Sequence, residues 1–377
     1  MTINIIGAGI GGLTTAIALE QKGFNVRIFE RAEKIKSVGA GIILANNAMQ
    51  VYKKLGLNKK IEAKGNQISS MNIAKTSLHP ISKVDLSHFE KKYLVKNVAI
   101  HRGTLQQILI NELKSTTISL NHHLTQIRQN NGDCSLTFAN GKKIQSSILI
   151  GADGLKSVVR QHLFPNNTIR NAQQICWRGI SNFTLPNVYK NELNEAWGKS
   201  DRFGFVQIAE NKVYWYALKS FKEHQKEFPI SDITSFFGKY NPIVNKIIFS
   251  TQQEHIHTAK ISDLKPIFQW HKGNVCLLGD AAHAATPNLG QGACQAIEDA
   301  YVLSECLNKY NNNDAFKEFQ KLRLPKAHEV VKTSWMIGKI AHLSNPILIR
   351  FRNQIISLIP SRINTKQSER LFQISNI

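Results

Sequence analysis

Acidic residues are scarce in this chain of 377 residues, where 26 Asp and Glu face 48 Lys and Arg for a formal charge of +22. Such a surplus attracts anionic substrates, anionic lipid or nucleic acid. The lysines are scattered rather than blocked, and no basic stripe or nucleic-acid module is present, so they read as a solvated surface and not as a binding face for nucleic acid. The five cysteines (Cys134, Cys176, Cys276, Cys294 and Cys306) contain no C-x-x-C pair, which argues against a disulfide framework or a thiolate metal site. Cys276 and Cys294 sit among apolar or small residues, as buried thiols do, and a reduced cytoplasm suits the set. No apolar run reaches membrane-spanning length, and the N-terminus carries no basic leader or cleavage pattern. His122-His123 and His255-x-His257 lack further ligands at metal spacing, so no metal is expected. Neither a G-x-S-x-G elbow nor a Cys/His nucleophile pattern occurs. What remains is a globular chain, 42% hydrophobic, long enough for two or more lobes.

The organising stretch runs from Ile3 to Arg31. Gly7, Gly9 and Gly12 stand in G-x-G-x-x-G spacing directly after the apolar run Ile3-Asn4-Ile5-Ile6. The glycines provide a tight turn, close backbone approach to a pyrophosphate and close helix-to-strand packing. Leu13, Ala16, Ile17 and Leu19 give the following helix its apolar face, and Gly23 ends it. The N-terminal amides of that helix and the positive end of its dipole point at the phosphates. Val26 to Phe29 is the second strand, with Glu30 at its tip where an acid bonds a ribose hydroxyl. The pattern predicts dinucleotide binding; NAD, NADP and FAD all fit it.

Further along, Val38 to Leu44 reads as a glycine-punctuated strand, with Gly39 and Gly41 permitting close approach to a flat ligand. A helix is expected from Asn46 to Leu55 and another after Arg102, whose guanidinium can meet a phosphate or a ring. Residues 66–97 read as strands and loops, and Ile118 to Ile150 alternates like antiparallel strands. A second buried strand, Ser147 to Ile150, ends in the turn Gly151-Ala152-Asp153-Gly154. Residues 171–270 read mostly as strands rich in aromatics. A third strand ends at Gly279-Asp280-Ala281-Ala282-His283, and the loop Pro287 to Gly290 leads into a long helix. The N-terminus of that helix, at Gly290 to Ala293, can stabilise negative charge on a bound ring. From Ala315 onward the chain is helical and basic. Pro346 to Arg352 mixes apolar and basic residues; packing on the core is the expectation, with peripheral contact to a membrane surface as the alternative.

Taken together, the fingerprint with Glu30, the Gly151 to Gly154 turn and the Gly279 to Gly292 segment resemble the single-component flavoprotein aromatic hydroxylases. Those are the para-hydroxybenzoate hydroxylase-like group A monooxygenases. The likeness covers residue 1 to about residue 330. Val38 to Ile42 and Trp177-Arg178-Gly179 point to the branch holding salicylate hydroxylases, zeaxanthin epoxidases and FAD-dependent urate hydroxylases. This resemblance implies an α/β fold in which a discontinuous Rossmann-like FAD-binding domain (1–70, 98–165 and 272–325) carries an antiparallel sheet domain for the substrate (71–97 and 166–271). A helical segment, 326–377, completes the chain.

The resemblance also implies FAD as the cofactor, with NAD(P)H as a transient co-substrate. Gly7, Gly9, Gly11 and Gly12 would meet its pyrophosphate and Glu30 its adenosine ribose, with Arg31 and Arg102 flanking and Leu124 near the adenine. Gly41, Ile43, Asp153, Asp280, Pro287, Gly290, Gly292 and Ala293 complete the implied cofactor set. Gly151 to Gly154 is associated in the family with both FAD and NAD(P)H. The implied reaction hydroxylates a small aromatic or heteroaromatic ring with molecular oxygen through a flavin C4a-hydroperoxide, in a monomer or homodimer. Arg202 and Tyr214 fall where urate-hydroxylase-like members place substrate contacts. Asn288 replaces an acidic residue found in some members, which argues against a urate-like substrate. Epoxidation of an isoprenoid is the rival reaction, while halogenation lacks its tryptophan-rich signature.

Overall fold

The computed structural model describes residues 2–35, 40–130, 133–221, 229–375 and 377. Val38, Gly39, Asn131 and Gly132 of the sequence reading lie outside them.

Apolar runs without alternation become the buried centre of a six-stranded sheet. Thr2–Ile6 lies between Asn25–Phe29 and Ile148–Gly151, and Val275–Leu277 extends the sheet beyond the latter, all in parallel. Thr117–Ser119 adds a parallel edge beside Asn25–Phe29, and His271–Lys272 an antiparallel edge at the other side. Ile3, Ile5, Ile28, Ile148, Leu149, Ile150, Val275 and Leu277 are all fully buried. Parallel strands finish on the same side of a sheet, so Ile6, Gly151 and Leu277, far apart in sequence, come into one row.

Only part of Ile118 to Ile150 is the antiparallel ribbon its alternation suggests. The meander of Leu124–Asn130, Asp133–Phe138 and Lys143–Ser146 is antiparallel. Its flanks, Thr117–Ser119 and Ile148–Gly151, are drawn into the parallel sheet, because their apolar side chains find burial there.

The second large sheet has seven strands in the order His257–Leu264, Ile169–Asn182, Lys212–Ser220, Asp201–Ala209, Glu192–Trp197, Ser70–Lys75 and Pro80–Asp85. Its pairings are antiparallel except where Glu192–Trp197 meets Ser70–Lys75. Trp177, Phe203, Phe205 and Trp215 bury one face against helices Asp232–Phe237 and Pro242–Phe249. Those two helices correct the reading of 171–270 as mostly strand. Ile243, Val244, Ile247 and Ile248 of the second carry the 3-4 spacing of a buried helical face. A third helix, Ser87–Tyr93, replaces the loop expected before residue 97, and its Phe89 ring meets Phe372 edge-on at 4.9 Å.

A small sheet joins the two halves. Gly41–Leu44 and Asn66–Ile68 flank Asn97–His101, and Gly41 lies so close under Tyr214 that any Cβ there would enter the ring. Helix Asn312–Ala341 closes the back of the molecule and leads to Pro346–Leu358. The expectation that this helix packs on the core holds for one side only, where Ile349 and Ile356 are half-buried beside Arg352. Among its residues Arg352 alone is buried, and Ile347, Phe351, Ile355 and Leu358 face outward.

The tightest backbone crossing in the fold is at the fingerprint, where a Cβ on Gly12 would overlap the carbonyl oxygen of Gly7. Gly12→Ala is therefore expected to lower unfolding free energy by about 1–3 kcal/mol, the usual cost of overpacking. Urea unfolding beside wild type measures it, and an unchanged midpoint would refute the crossing.

Candidate functional site

The strand ends bring three glycine-bearing corners together. Gly7 adopts φ +107° and a Cβ there would lie 2.5 Å from the oxygen of Ala152, in the second corner. Ala152 N donates to Ile6 O at 2.9 Å, and Leu278 N donates to Gly151 O at 2.9 Å, so each corner is stitched to the next. Gly11 touches Leu278 and Ala296 of the third. Gly9 and Gly290, by contrast, have nothing within 4 Å of a Cβ position and face open space. Arg102 and Asp280 lie close enough to influence each other's titration.

Two helices start at this cleft, Ile10–Gln21 and Gly292–Lys309, and neither start has a side-chain cap. Ser157, Asn241, Asn311 and Asn345 cap their helices, while Asn46–Lys54 and Ser361–Phe372 are among others without a side-chain cap. Uncapped amides at a helix start are donors ready for an anion. The profile of the family described as FAD binding domain matches residues 1–334.

The chain belongs to this family.

Aurachin C monooxygenase/isomerase from Stigmatella aurantiaca is 33% identical over 364 residues, covering 96% of this chain and 95% of that protein. The 2-heptyl-3-hydroxy-4(1H)-quinolone synthase of Pseudomonas aeruginosa is 28% identical over 382 residues, covering 99% and 98%. The crystal structure of HpxO from Klebsiella pneumoniae with FAD and uric acid shares the fold at a TM-score of 0.89 and 23% identity, over 98% of this chain and 96% of that one. The protein is an FAD-dependent, NAD(P)H-consuming monooxygenase of aromatic compounds.

The cleft of this monooxygenase fits FAD on its own geometry. Asp153 is half-buried; its Oδ2 accepts from Val158 N at 2.7 Å and Val159 N at 3.2 Å, while its Oδ1 is buried with no partner. An orphaned acceptor of this kind suits a hydroxyl or amide donor from a ligand. Burial raises the Asp153 carboxyl above its ordinary range. Asp280 is exposed along the cleft yet ringed by protein on its other sides, and that enclosure raises its carboxyl against the pull of His283 and Arg102. Glu30 is less free than expected: its carboxylate accepts from Ala8 N at 2.8 Å and Ala32 N at 3.0 Å, holding the fingerprint loop as well as facing it. Arg31, Pro287 and Gly290 are exposed, and Gly41, Ile43, Gly292 and Ala293 half-buried. The Ile43 carbonyl lies 3.5 Å from the Cys294 thiol, beside the start of the long helix. The Leu124 side chain is sealed in the core. Among the described residues no group of three or more His, Cys, Asp or Glu could hold a metal ion.

The face of the seven-stranded sheet bearing Tyr214 is built in cross-strand rows. Arg178, Tyr216, Gly204 and Glu195 are direct partners across four strands, and the Tyr216 ring fills the space over Gly204. Leu218, Arg202 and Trp197 form the next row. Arg202 is buried; its Nη1 donates to Glu195 Oε1 at 2.9 Å, and its Nη2 bonds Asn288 Oδ1. Glu195 also accepts from Trp197 Nε1 at 2.6 Å and from the Tyr216 hydroxyl at 2.5 Å. Arg202 and Tyr214 share a face but are not neighbours: Tyr214 pairs with Val206, about 13 Å further along the strand. Tyr214 stands instead near Arg178 and Arg102, and burial holds its hydroxyl protonated far above the usual range. The sequence reading missed Glu195, whose only signal is the cross-strand register, and met Tyr216 only as one of the aromatics of the sheet.

Beneath the third corner lies a charge network. Gly279 N donates to Asp299 Oδ2 at 3.0 Å, and His283 Nε2 bonds the same oxygen at 2.6 Å. Arg323 Nε donates to Asp299 Oδ1 at 2.7 Å, and its other nitrogens reach Glu298 and Gln295. Lys326 Nζ donates to Glu298 Oε2 at 2.7 Å. Against the cost of burial, His283 and Arg323 pull the Asp299 carboxyl down to about 2. Its folded value lies below the ordinary 3.8, so this carboxylate stabilises the fold above pH 3.8 and loses that contribution as pH falls toward about 2. Asp299→Asn is expected to lower stability at neutral pH and to flatten the stability curve across that acid window, as read by urea unfolding at stepped pH. Arg323→Met, which leaves two buried carboxylates short of a partner, is expected to cost about 3–5 kcal/mol. A neutral outcome for both would show that the network carries no structural weight.

Proposed function

We propose that this monooxygenase hydroxylates a nitrogen heteroaromatic ring that bears an oxo or hydroxyl group and an apolar tail, a 4-quinolone type of substrate. The observation that carries the reading is the match, over nearly the whole of both chains, to a protein named for making 2-heptyl-3-hydroxy-4(1H)-quinolone. The Arg202 environment supports it. A guanidinium already bonded to Glu195 and closed to solvent is not a free clamp for a carboxylate, so the substrate face favours a neutral ring over a benzoate-type acid. Asn288, an amide where some relatives carry an acid, keeps that neighbourhood from gaining a second negative charge.

Bound FAD would take two electrons from NAD(P)H and pass them to O2, one oxygen atom going to the ring and the other leaving as water. The chain's part is placement and exclusion of water. The Gly7 to Gly12 turn and the start of helix Ile10–Gln21 would hold the pyrophosphate, with Asp153 and Asp280 on hydroxyls and Arg102 nearby. The amides at Gly292 and Ala293 would face the ring edge where negative charge grows. Tyr214, kept protonated by burial, offers a hydroxyl donor to a ring oxygen. Arg202, held by Glu195 and Asn288, sets the electrostatic field at the far end of the same face. Five free, buried thiols suit a reducing cytoplasm.

The purified protein should be yellow with an oxidised flavin spectrum. Among phenolic acids, hydroxypyridines and 2-alkyl-4-quinolones, the quinolones should stimulate NAD(P)H oxidation most and give a product heavier by one oxygen. Stimulation by phenolic acids alone would refute the substrate class. Arg202→Gln, which takes the paired cation from Glu195 and loosens Asn288, should retain flavin yet lower product formed per NAD(P)H. Unchanged coupling would remove Arg202 from the site.

A further inference from the structure

Helix Pro346–Leu358 is apolar on two sides: Ile349 and Ile356 are half-buried beside Arg352, and a second apolar face stands in solvent. An amphipathic helix packs its apolar stripe inward and leaves its charges in water. Here Arg352 points inward; its Nη1 donates to Ala341 O at 2.9 Å and its guanidinium lies 5.2 Å over the Trp197 ring. On the opposite side Ile347, Phe351 and Leu358 are 66%, 58% and 73% exposed, with Leu348 and Ile355 beside them. Helix Asn312–Ala341, against whose end Arg352 is anchored, adds exposed Met336 and Ile340. Patches of this kind on a protein surface mark interaction sites.

The charge of this stretch of chain says what covers the patch. From Met336 to the C-terminus the chain has six basic residues (Lys339, Arg350, Arg352, Arg362, Lys366 and Arg370) and a single acid, Glu369. Glu369 is itself paired with Lys92. Arg350, Arg362, Lys366 and Arg370 are exposed. Arg350 stands on the helix itself, and the helix that follows, Ser361–Phe372, carries Arg362, Lys366 and Arg370; an exposed apolar face in so basic a stretch of chain fits the boundary between anionic headgroups and acyl chains. A second copy of the chain would instead bring like charges together across the interface.

We infer that the outward face of helix Pro346–Leu358 docks the enzyme on an anionic lipid surface. The helix reaches the substrate sheet through one line of contacts, Arg352 on Trp197, Trp197 on Glu195 and Glu195 on Arg202. Docking there sets the substrate face beside the phase in which a tailed ring dissolves. That purpose rests on the proposed substrate class; the docking itself rests on the surface alone. No helix among the described residues is long and apolar enough to cross a membrane, so the contact is peripheral.

The test is flotation of the FAD-loaded, full-length enzyme with phosphatidylcholine vesicles with and without phosphatidylglycerol. The wild type should float with the anionic vesicles, and the recovered fraction should fall about tenfold without phosphatidylglycerol or at high salt, which screens the headgroup attraction. The double variant Phe351→Ser with Leu358→Ser should stay at the bottom while keeping its flavin and its Tm, since both side chains are exposed. Wild type that fails to float, or a double variant that floats like wild type, would overturn the inference. So would a dimer that this double variant splits in sedimentation without any effect on lipid, which would assign the face to a second copy. Flotation is read without substrate, so its failure leaves the quinolone reading intact, and a failed substrate screen leaves the face intact.

Discussion

Backbone meets backbone where Gly12 crosses the carbonyl of Gly7 and Gly7 crosses that of Ala152. No side chain of any size can stand at either crossing, so the first helix, the first strand and the Gly151 corner approach more closely than packed side chains allow. This contact works because three parallel strands end in register, Ile6 beside Gly151 and Gly151 beside Leu277. A parallel sheet gathers its loops at one edge, and that edge is where a long ligand can touch several of them at once. The glycines therefore divide into two kinds. Gly7 and Gly12 close the turn, while Gly9 and Gly290 keep open the space in front of it.

This edge was legible from the amino acids because its geometry is local. Gly7, Gly9, Gly12 and Glu30 lie in one strand-turn-helix-strand unit, and their spacing encodes the turn directly. Asp153 and Asp280 were legible for the same reason, each at the tip of an apolar run. The opposite wall was not. Glu195 sits on Glu192–Trp197, a short polar strand without alternation that pairs in parallel with Ser70–Lys75, far away in sequence. Its meeting with Arg202 and Tyr216 follows from register across several strands, and no spacing within one segment announces it. Arg323 is equally silent in sequence, because a helix arginine signals burial only once carboxylates are placed against it. Helix Pro346–Leu358 misleads for a related reason: composition reports that a segment is apolar, and not how much of it faces inward.

The network under the third corner shows how charge is used inside this protein. Buried ion pairs add little net stability, since desolvation offsets most of the attraction, but they fix geometry. Asp299 takes Gly279 N, His283 and Arg323 at once, and so ties the end of a strand, a short turn and two long helices to one carboxylate. Helix Gly292–Lys309 carries that carboxylate, and its uncapped start faces the cleft. The amides at that start are held in place from the protein side, where Glu298 and Asp299 are balanced by Arg323 and Lys326.

The same balance separates interior from surface. Some interior guanidinium groups meet carboxylates, Arg202 with Glu195, Arg323 with Glu298 and Asp299, Arg170 with Asp263, while buried Arg160 and Arg352 are held by carbonyl and amide oxygens. Most of the excess of +22 is carried by exposed lysines and arginines. A substrate wall whose arginine is already neutralised is suited to an uncharged ring, and an uncharged ring with an apolar tail collects in lipid rather than in water. On the proposed reading, the apolar face of helix Pro346–Leu358 would bring such a ring to the site from a lipid boundary, with exposed cations on that helix and on the one that follows.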